Sequence, residues 1–452
     1  MTTDRSDVLV LGGGVAGLAA ALRLADAGRS VRLLEASARL GGVVKTVRDK
    51  GFEVDVGPDV FLVRKPAAAR LAERLGVETA TPRGGALIQR NGTLHPLPAG
   101  LSGLVPGSAG PLLATPALPL RSRLRAVAEP LVRSRARDDE SLEAFAVRRF
   151  GRGAWHGLIE PLLGGLYGSD AGPISLRATL PHLHDREREG GLLRWRSTPT
   201  LGVGSKVSPF ARPVGGMDRL TTALADELHR LSVVTEVGVA VEAVQREGRG
   251  YRVDLDDGTS RRADAVLMAL PAPAAGAALA SLDHDLARPL TEVPMGSAAV
   301  AVIGFETPSA GTVPDVSGWL VPRGEGGAVQ ALTLLSRKHG GTAPPGHDLA
   351  RVFIRPDAID RPDANLLDAA RVHLGERVGL AGAPILQFVH RWQAASPRYT
   401  MGHPDRLAAL DTALARHPHL ALAGAALRGV GLPDVIAGGQ AAADTISDAL
   451  DN

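Results

Sequence analysis

The chain has no cysteine, which excludes disulfide staples, thiolate chemistry and any redox-active cysteine pair. Aromatic residues make up only 3% of its 452 residues, and lysine occurs five times against 46 arginines. The formal net charge is +3, and the basic residues are scattered rather than gathered into a block, so nucleic acid is not expected as a partner. Arginine pairs such as Arg148-Arg149 and Arg261-Arg262 read as solvated faces. A long apolar run is also missing. No Asp, Glu, Lys or Arg occurs from Leu94 to Leu120, yet Pro96, Pro98, Pro106, Pro111, Pro116 and Pro119 interrupt the stretch. A membrane-spanning helix needs about 20 unbroken apolar residues. The segment therefore reads either as a surface that touches a membrane or as the lining of a pocket. The first residues carry no basic region followed by an apolar core and no transit pattern, so the expected location is cytoplasmic, with peripheral contact at the inner face of the membrane left open. His182 with His184 and His417 with His419 lack further partners at ligand spacing, so solvated or capping roles and no metal centre are expected. No Gly-x-Ser-x-Gly elbow supports a serine nucleophile.

What the chain does have is concentrated in its first 42 residues. Asp7 to Leu11 is a strand-like run that leads into Gly12-Gly13-Gly14-Val15-Ala16-Gly17, then a helical pattern, then Val31 to Glu35, then Arg39-Leu40-Gly41-Gly42. Strand, Gly-x-Gly-x-x-Gly turn, helix and a second strand ending in an acid is the order a dinucleotide site requires. Gly12 permits the tight turn, Gly14 lets a pyrophosphate approach the backbone, and Gly17 lets the helix lie close to the sheet. The free N–H groups of the helix N-terminus face the phosphates. Glu35 follows Gly14 by 21 positions, near the spacing of about 20 for an acid that grips a ribose hydroxyl.

A chain of this length exceeds what one hydrophobic core organises. The expected class is α/β, a Rossmann-type dinucleotide domain with a β-sheet substrate domain and a helical insertion. The cofactor domain is expected to be discontinuous, from residues 1–90, 212–275 and 412–452, around an insertion at 91–211 and a substrate domain at 276–411. Arg121 to Arg149 reads as helical, with Asp138-Asp139-Glu140-Ser141 opening a new helix. Asp218 to Leu231 reads as an amphipathic helix, followed by strands near Val233–Val237, Val239–Gln245 and Tyr251–Leu255. Asp256-Asp257-Gly258 is a hairpin signal, and Ala263 to Pro271 a buried strand. Val293 to Phe305, Ser317 to Arg323 and Val352 to Arg355 read as a second sheet. A strand at His419–Gly424, a turn at Gly429–Asp434 and a helix over Val435–Leu450 close the chain, with a second helix N-terminus directed at a cofactor.

At these last residues the sequence resembles a known family. Leu422-Ala423-Gly424-Ala425 and Arg428-Gly429-Val430-Gly431-Leu432-Pro433-Asp434 are similar to the closing motif of the FAD-dependent protoporphyrinogen and coproporphyrinogen oxidases, members of the amine-oxidase-like flavoproteins. Gly57-Pro58-Asp59-Val60-Phe61-Leu62, the stretches Pro161–Asp170 and Ile174–Thr179, Ser317–Arg323, Arg391-Trp392 and Pro397–His403 extend the resemblance through nearly the whole chain. It implies that Gly12, Gly14, Val15, Ala16, Gly17, Glu35, Ala36, Arg39, Gly41, Gly42, Gly57, Pro58, Val237, Gly424, Val430 and Pro433 line FAD. Arg39 reads as a phosphate neutraliser or a surface arginine, Val237 as an adenine contact or a core valine. The resemblance further implies a tetrapyrrole substrate, with Lys45, Arg64 and Lys65 as cationic candidates for its propionates. Arg64 is favoured because a guanidinium grips a carboxylate through two parallel bonds. No catalytic acid or base is nominated, since a porphyrinogen can lose hydride from a meso carbon while its ring nitrogens release protons. Dioxygen is the expected acceptor, because no second dinucleotide fingerprint is present for a nicotinamide. A homodimer is compatible with the sequence. The lack of cysteine excludes the flavin-dependent disulfide reductases. The alternatives are another amine-oxidase-like oxidase or desaturase of a secondary metabolite, and a non-catalytic flavin or porphyrin carrier. Amine oxidases generally want paired aromatic rings beside the flavin, and Leu427 stands where an aromatic would be needed.

Overall fold

The computed structural model describes residues 5–99, 101–102, 105–106, 109–133, 137–167, 170–188, 208–308 and 313–452. The Pro-rich stretch is covered only in part, and Gly168 and Ser169 of the Pro161–Asp170 motif lie outside the described residues. Strand β1 (Arg5–Leu11), helix α1 (Val15–Asp26) and strand β2 (Val31–Glu35) form as the fingerprint demands. From Val8 to Leu11 every side chain of β1 is fully buried, because this strand has sheet neighbours on both edges and helices on both faces. β2 and the strand Val234–Val237 lie in parallel on one side of it, and Ser260–Met268 on the other. Leu420–Leu422 joins Ser260–Met268 in parallel, and the hairpin strands Val241–Glu247 and Gly250–Leu255 extend the sheet in antiparallel fashion. The turn after Leu255 closes at Gly258, whose φ of +79° suits the glycine of the Asp-Asp-Gly signal.

The C-terminal helix runs from Leu432 to Asp451. It begins three residues before the expected start because Pro433 sits in its first turn, where a missing N–H costs nothing. It lies so close to α1 that a Cβ on Gly439 would stand 2.3 Å from the carbonyl oxygen of Ala16. Both helices follow strands of the parallel part of the sheet, which brings their N-termini to the same edge, where ligands of such sheets bind.

The second sheet has seven strands, in the order Leu386–Pro397, Met295–Glu306, His347–Ile354, Val329–Leu334, Gly318–Leu320, Ala86–Arg90 and Thr93–Pro96. Residues 86–96, which the sequence reading placed astride the boundary of cofactor domain and insertion, thus pair into the second sheet through Ala86–Arg90. The antiparallel hairpin Thr46–Asp49 and Phe52–Asp55 carries Phe52 and Val54 into a core shared with Val300, Val302 and Leu349 of that sheet.

The insertion is helical with its own core around Phe145, Phe150, Trp155 and Leu158. The stretch 121–149 is helical in parts, with the expected new helix opening after Asp138–Ser141. Leu120–Val127 is followed by a short 3-10 turn at Glu129–Leu131, and a new helix runs from Leu142 to Phe150. Pro130 lacks the N–H needed to continue the first helix, and Ser141 caps the second by accepting the N–H of Ala144. The Arg148-Arg149 pair is not a solvated face. Arg149 is 1% exposed and paired with the fully buried Glu129, while Arg148 bridges Glu140 and Glu187. Arg261 likewise is half-buried, its guanidinium held by both carboxylate oxygens of Glu236. Two adjacent cations look like surface until the fold supplies carboxylates for them. His184 is also buried, with Nε2 2.9 Å from the carbonyl of Arg137, and His417 pairs with Asp283 at 2.8 Å.

Candidate active site

Around the end of β1 two of the three fingerprint glycines occupy positions no other residue could take without movement. Gly12 has φ +107°, and a Cβ there would meet the carbonyl oxygen of Ala269 at 2.6 Å. On Gly17 it would stand 1.9 Å from the carbonyl oxygen of Gly12. Gly14 is different, with nothing within 4 Å of the corresponding point. It is the N-cap of α1 and offers no side-chain cap, so the first N–H groups of the helix point into open space. Facing it is the second glycine pair. The N–H of Gly41 donates to the carbonyl of Gly13 at 2.8 Å, and a Cβ on Gly42 would lie 3.2 Å from the Cα of Gly14.

Glu35 ends β2 beside this turn. One carboxylate oxygen accepts the N–H of Gly13 at 2.7 Å, and the other accepts the N–H and hydroxyl of Ser37 at 2.8 and 2.7 Å. Ala36 is exposed next to it, and Val237 is the register partner of Glu35. Val237 is 46% exposed, which removes the core-valine alternative. Arg39 is not a surface arginine either. It donates to the carbonyls of Leu40 and Val44 at 3.1 Å and to that of Gly42, and so stiffens the Gly-Gly turn. Burial lowers its pKa, while Glu35 and Asp218 oppose the shift. Val15 and Ala16 are buried in the first turn of α1.

Gly57 packs so tightly on the turn that a Cβ would lie 1.9 Å from the carbonyl oxygen of Val43. Pro58 follows, then the buried Asp59, whose role the sequence did not announce. Its carboxylate lies 2.6 Å from Lys338, 3.2 Å from Arg351 and 3.4 Å from His339, all from the second sheet and its short helix. Beside Gly57 the Trp392 indole N–H donates to the carbonyl of Val56 at 2.9 Å, and its ring meets His390 edge to face with centroids 4.6 Å apart. At the other helix, Gly424 has φ +126°, Val430 is 36% exposed and Pro433 is buried.

The three cationic candidates have different surroundings. Lys45 is half-buried, has no ion pair among the described residues, and joins burial and Arg39 in lowering the pKa of His390. Arg64 is exposed, near His182 of the insertion. Lys65 forms an ion pair with Asp434, both oxygens at 2.7 Å, in the first turn of the C-terminal helix. Tyr399 and His403, quoted above only as part of a motif, reach the loop that precedes that helix.

These residues fit a dinucleotide. A glycine cradle open at Gly14, two uncapped helix N-termini at one sheet edge and an acid at the end of β2 meet the needs of pyrophosphate and ribose. Exposed Val43, Val237 and Val430 add apolar surface around the cradle.

The model of the flavin containing amine oxidoreductases matches residues 15–447. Coproporphyrinogen III oxidase of Propionibacterium freudenreichii subsp. freudenreichii is 34% identical over 98% of this chain and 91% of its own. That of Bacillus subtilis (strain 168) is 31% identical over 100% and 99%. A crystal structure from Exiguobacterium sp. 255-15, 29% identical, superposes over 100% of both chains with a TM-score of 0.85. A flavin bound through a dinucleotide fold is FAD. With a glycine cradle, an acid at the end of β2 and a closing helix gathered at one sheet edge, and with residues 15–447 matched, the chain belongs to the family of flavin containing amine oxidoreductases.

Proposed function

We propose that this protein is an FAD-dependent oxidase that converts coproporphyrinogen III to coproporphyrin III, with dioxygen as acceptor and hydrogen peroxide as product, in heme biosynthesis. The observation that carries this reading is full-length similarity to two coproporphyrinogen III oxidases, 34% and 31% identical over 98% and 100% of this chain. The pyrophosphate is assigned to Gly12–Gly17 with Gly41 and Gly42, the adenosine ribose to Glu35, the adenine to Val237, and the flavin ring to Gly57, Pro58, Gly424, Val430 and Pro433. The cofactor domain is assigned to 1–85, 212–275 and 412–452, the substrate domain to 86–96 with 276–411, and the insertion to 97–211.

FAD held there would supply the hydride acceptor, with dioxygen as the proposed final electron acceptor. The chain's own contribution is positioning. The Gly57–Asp59 loop is held from the substrate side through Arg351, whose guanidinium donates to the carbonyls of Asp55 and, at 2.8 Å, of Gly57. The substrate sheet thereby fixes the position of the Gly57–Asp59 loop. Lys45 and Arg64 are assigned as propionate anchors, while Asp434 holds the Lys65 ammonium beside the C-terminal helix.

The test is porphyrin fluorescence and peroxide release from purified enzyme given chemically reduced coproporphyrinogen III or protoporphyrinogen IX in air. Coproporphyrinogen III is expected to be oxidised faster, well above the autoxidation control; a flavin-loaded protein that accelerates neither overturns the proposal. Lys45→Ala and Arg64→Ala are each expected to raise KM about ten-fold with kcat nearly unchanged, because a carboxylate anchor remote from the reacting carbon binds ground and transition states alike.

No helix among the described residues is long and apolar enough to cross a membrane. Leu120, Leu124 and Leu131 are nevertheless 63%, 55% and 86% exposed beside the exposed Arg121 and Arg133. Peripheral docking of this face on an anionic bilayer is part of the proposal. The wild type should sediment with phosphatidylglycerol vesicles at low salt, and Leu124→Glu with Leu131→Glu should stay in the supernatant; equal sedimentation of both proteins removes the docking face.

A further inference from the structure

Between Leu420–Leu422 and the C-terminal helix, residues 423–431 form neither strand nor helix. Within the loop the backbone closes on itself through the N–H of Leu427 and the carbonyl of Gly424, a long bond of 3.3 Å. Gly424 and Gly429, at φ +126° and +144°, occupy backbone regions that hold no side-chain-bearing residue easily. Such a segment has little intrinsic preference for one path.

Its path is set from outside. The Tyr399 hydroxyl donates to the carbonyl of Ala425 at 2.5 Å and accepts the N–H of Gly429 at 2.8 Å. His403 Nε2 lies 3.1 Å from the carbonyl of Leu427. Alternate residues 425, 427 and 429 are therefore gripped by one pair of side chains. The two rings are stacked, with centroids 4.0 Å apart and planes 11° from parallel, and they are 5% and 1% exposed. A carbonyl only accepts, so Nε2 of His403 carries the hydrogen. Its Nδ1 is buried without a hydrogen-bond partner among the described residues. Burial keeps the imidazole neutral by lowering its pKa.

The other side of the same segment is fastened to the insertion. The carbonyl of Tyr399 accepts the N–H of Ser175 at 2.7 Å. Asp139 accepts both the Ser175 hydroxyl, at 2.7 Å, and the N–H of Gly402, at 3.3 Å. The clamp is anchored in the insertion and acts on the loop that aims the C-terminal helix.

We propose that Tyr399 and His403 are positioning residues that tune the reduction potential of FAD by fixing where the N-terminus of the C-terminal helix points. The inference rests on the placement of the flavin ring at Gly424, Val430 and Pro433. Reduction adds negative charge to the flavin, and an uncapped helix N-terminus stabilises negative charge over only a short range. A loosened loop lets that terminus draw away, which destabilises the reduced form and lowers the potential.

Tyr399→Phe keeps the stacked ring and removes both hydroxyl bonds. It is expected to shift the balance toward oxidised flavin about ten-fold, a drop of about 30 mV for a two-electron couple, with kcat lowered by a similar factor and KM within two-fold of wild type. His403→Gln retains an N–H donor for Leu427 and should keep a potential closer to wild type than His403→Ala. Tyr251→Phe, which removes a buried hydroxyl bonded to Arg246, is the control and should leave the potential unchanged. The potential is read by photoreduction against a reference dye, without substrate, so failure of the porphyrinogen reading leaves this test intact. A Tyr399→Phe protein that melts lower yet keeps the wild-type potential overturns the proposal. If that variant does not retain FAD, equal potentials in His403→Gln and His403→Ala overturn it instead.

Discussion

Replacing Asp59 with alanine is expected to cost about 3–5 kcal/mol of folding stability, the range for removing one partner of a buried ion pair. Asp59 is 8% exposed, and Arg351 is 3% exposed. Without the carboxylate, Arg351 becomes a buried cation and Lys338 a half-buried one with no acid between them, and the Gly57–Asp59 loop keeps only its backbone bonds to Arg351. Chemical denaturation should show the loss as a lower midpoint with an unchanged slope. A cost below about 1 kcal/mol would mean that the charges find water or another acid, contrary to the packing seen here. The same group predicts a pH dependence. Burial opposes ionisation of Asp59, but Arg351, Lys338 and His339 together hold its carboxyl well below the ordinary value of 3.8. A folded pKa below the unfolded one means that the native state binds fewer protons. The stabilisation is therefore fully present above pH 3.8 and is lost as pH falls from there toward the folded value. His339 is held below its ordinary 6.5 by burial, against the pull of Asp59, so its contribution has the same sign and begins to fade near pH 6.5. Asp59→Asn should flatten the acid limb of the stability profile as well as lowering its plateau. An unchanged acid limb in that variant would assign the acid sensitivity to other carboxylates.

Gly17→Ala should yield protein without bound flavin and with a lower melting temperature. The new methyl group would stand 1.9 Å from the backbone oxygen of Gly12 and 3.3 Å from the Cβ of Ala269. Neither can be relieved by turning a side chain, so α1 must lift from the sheet. Overpacking of this kind costs about 1–3 kcal/mol, and the displaced helix N-terminus no longer meets the pyrophosphate. Gly14→Ala separates the two effects. Nothing lies within 4 Å of its Cβ position, so the fold should melt as wild type while the methyl group occupies the space assigned to phosphate. Flavin absorbance at 450 nm relative to 280 nm, with thermal melts of both variants, reads the outcome. Retention of full flavin by Gly14→Ala would show that the pyrophosphate lies elsewhere.

What could be read directly from the chain is local. The Gly12–Gly17 turn, its flanking strands, Glu35 and the helix after Gly431 lie within short stretches, and each demand is imposed by backbone sterics on nearby residues. The hairpin at Gly258 and the strand at Ala263–Met268 follow for the same reason. The pairing of Arg148 and Arg149 with Glu129, Glu140 and Glu187, the three cations around Asp59, and the grip of Tyr399 and His403 on residues 425–429 could not be read this way. Asp59 and Arg351 are 292 positions apart; nothing in the periodicity around either one names the other. A buried charge looks like a surface charge until a partner is brought to it. The sequence by itself determined the dinucleotide turn with its flanking strands and helix, because those rest on contacts between neighbours in the chain, and it carried the family resemblance in short motifs spread along its length. Only the tertiary structure decided which acids meet which cations and what holds the flavin loop, because low-dielectric pairing depends on segments that adjoin only after the two sheets and the insertion have packed.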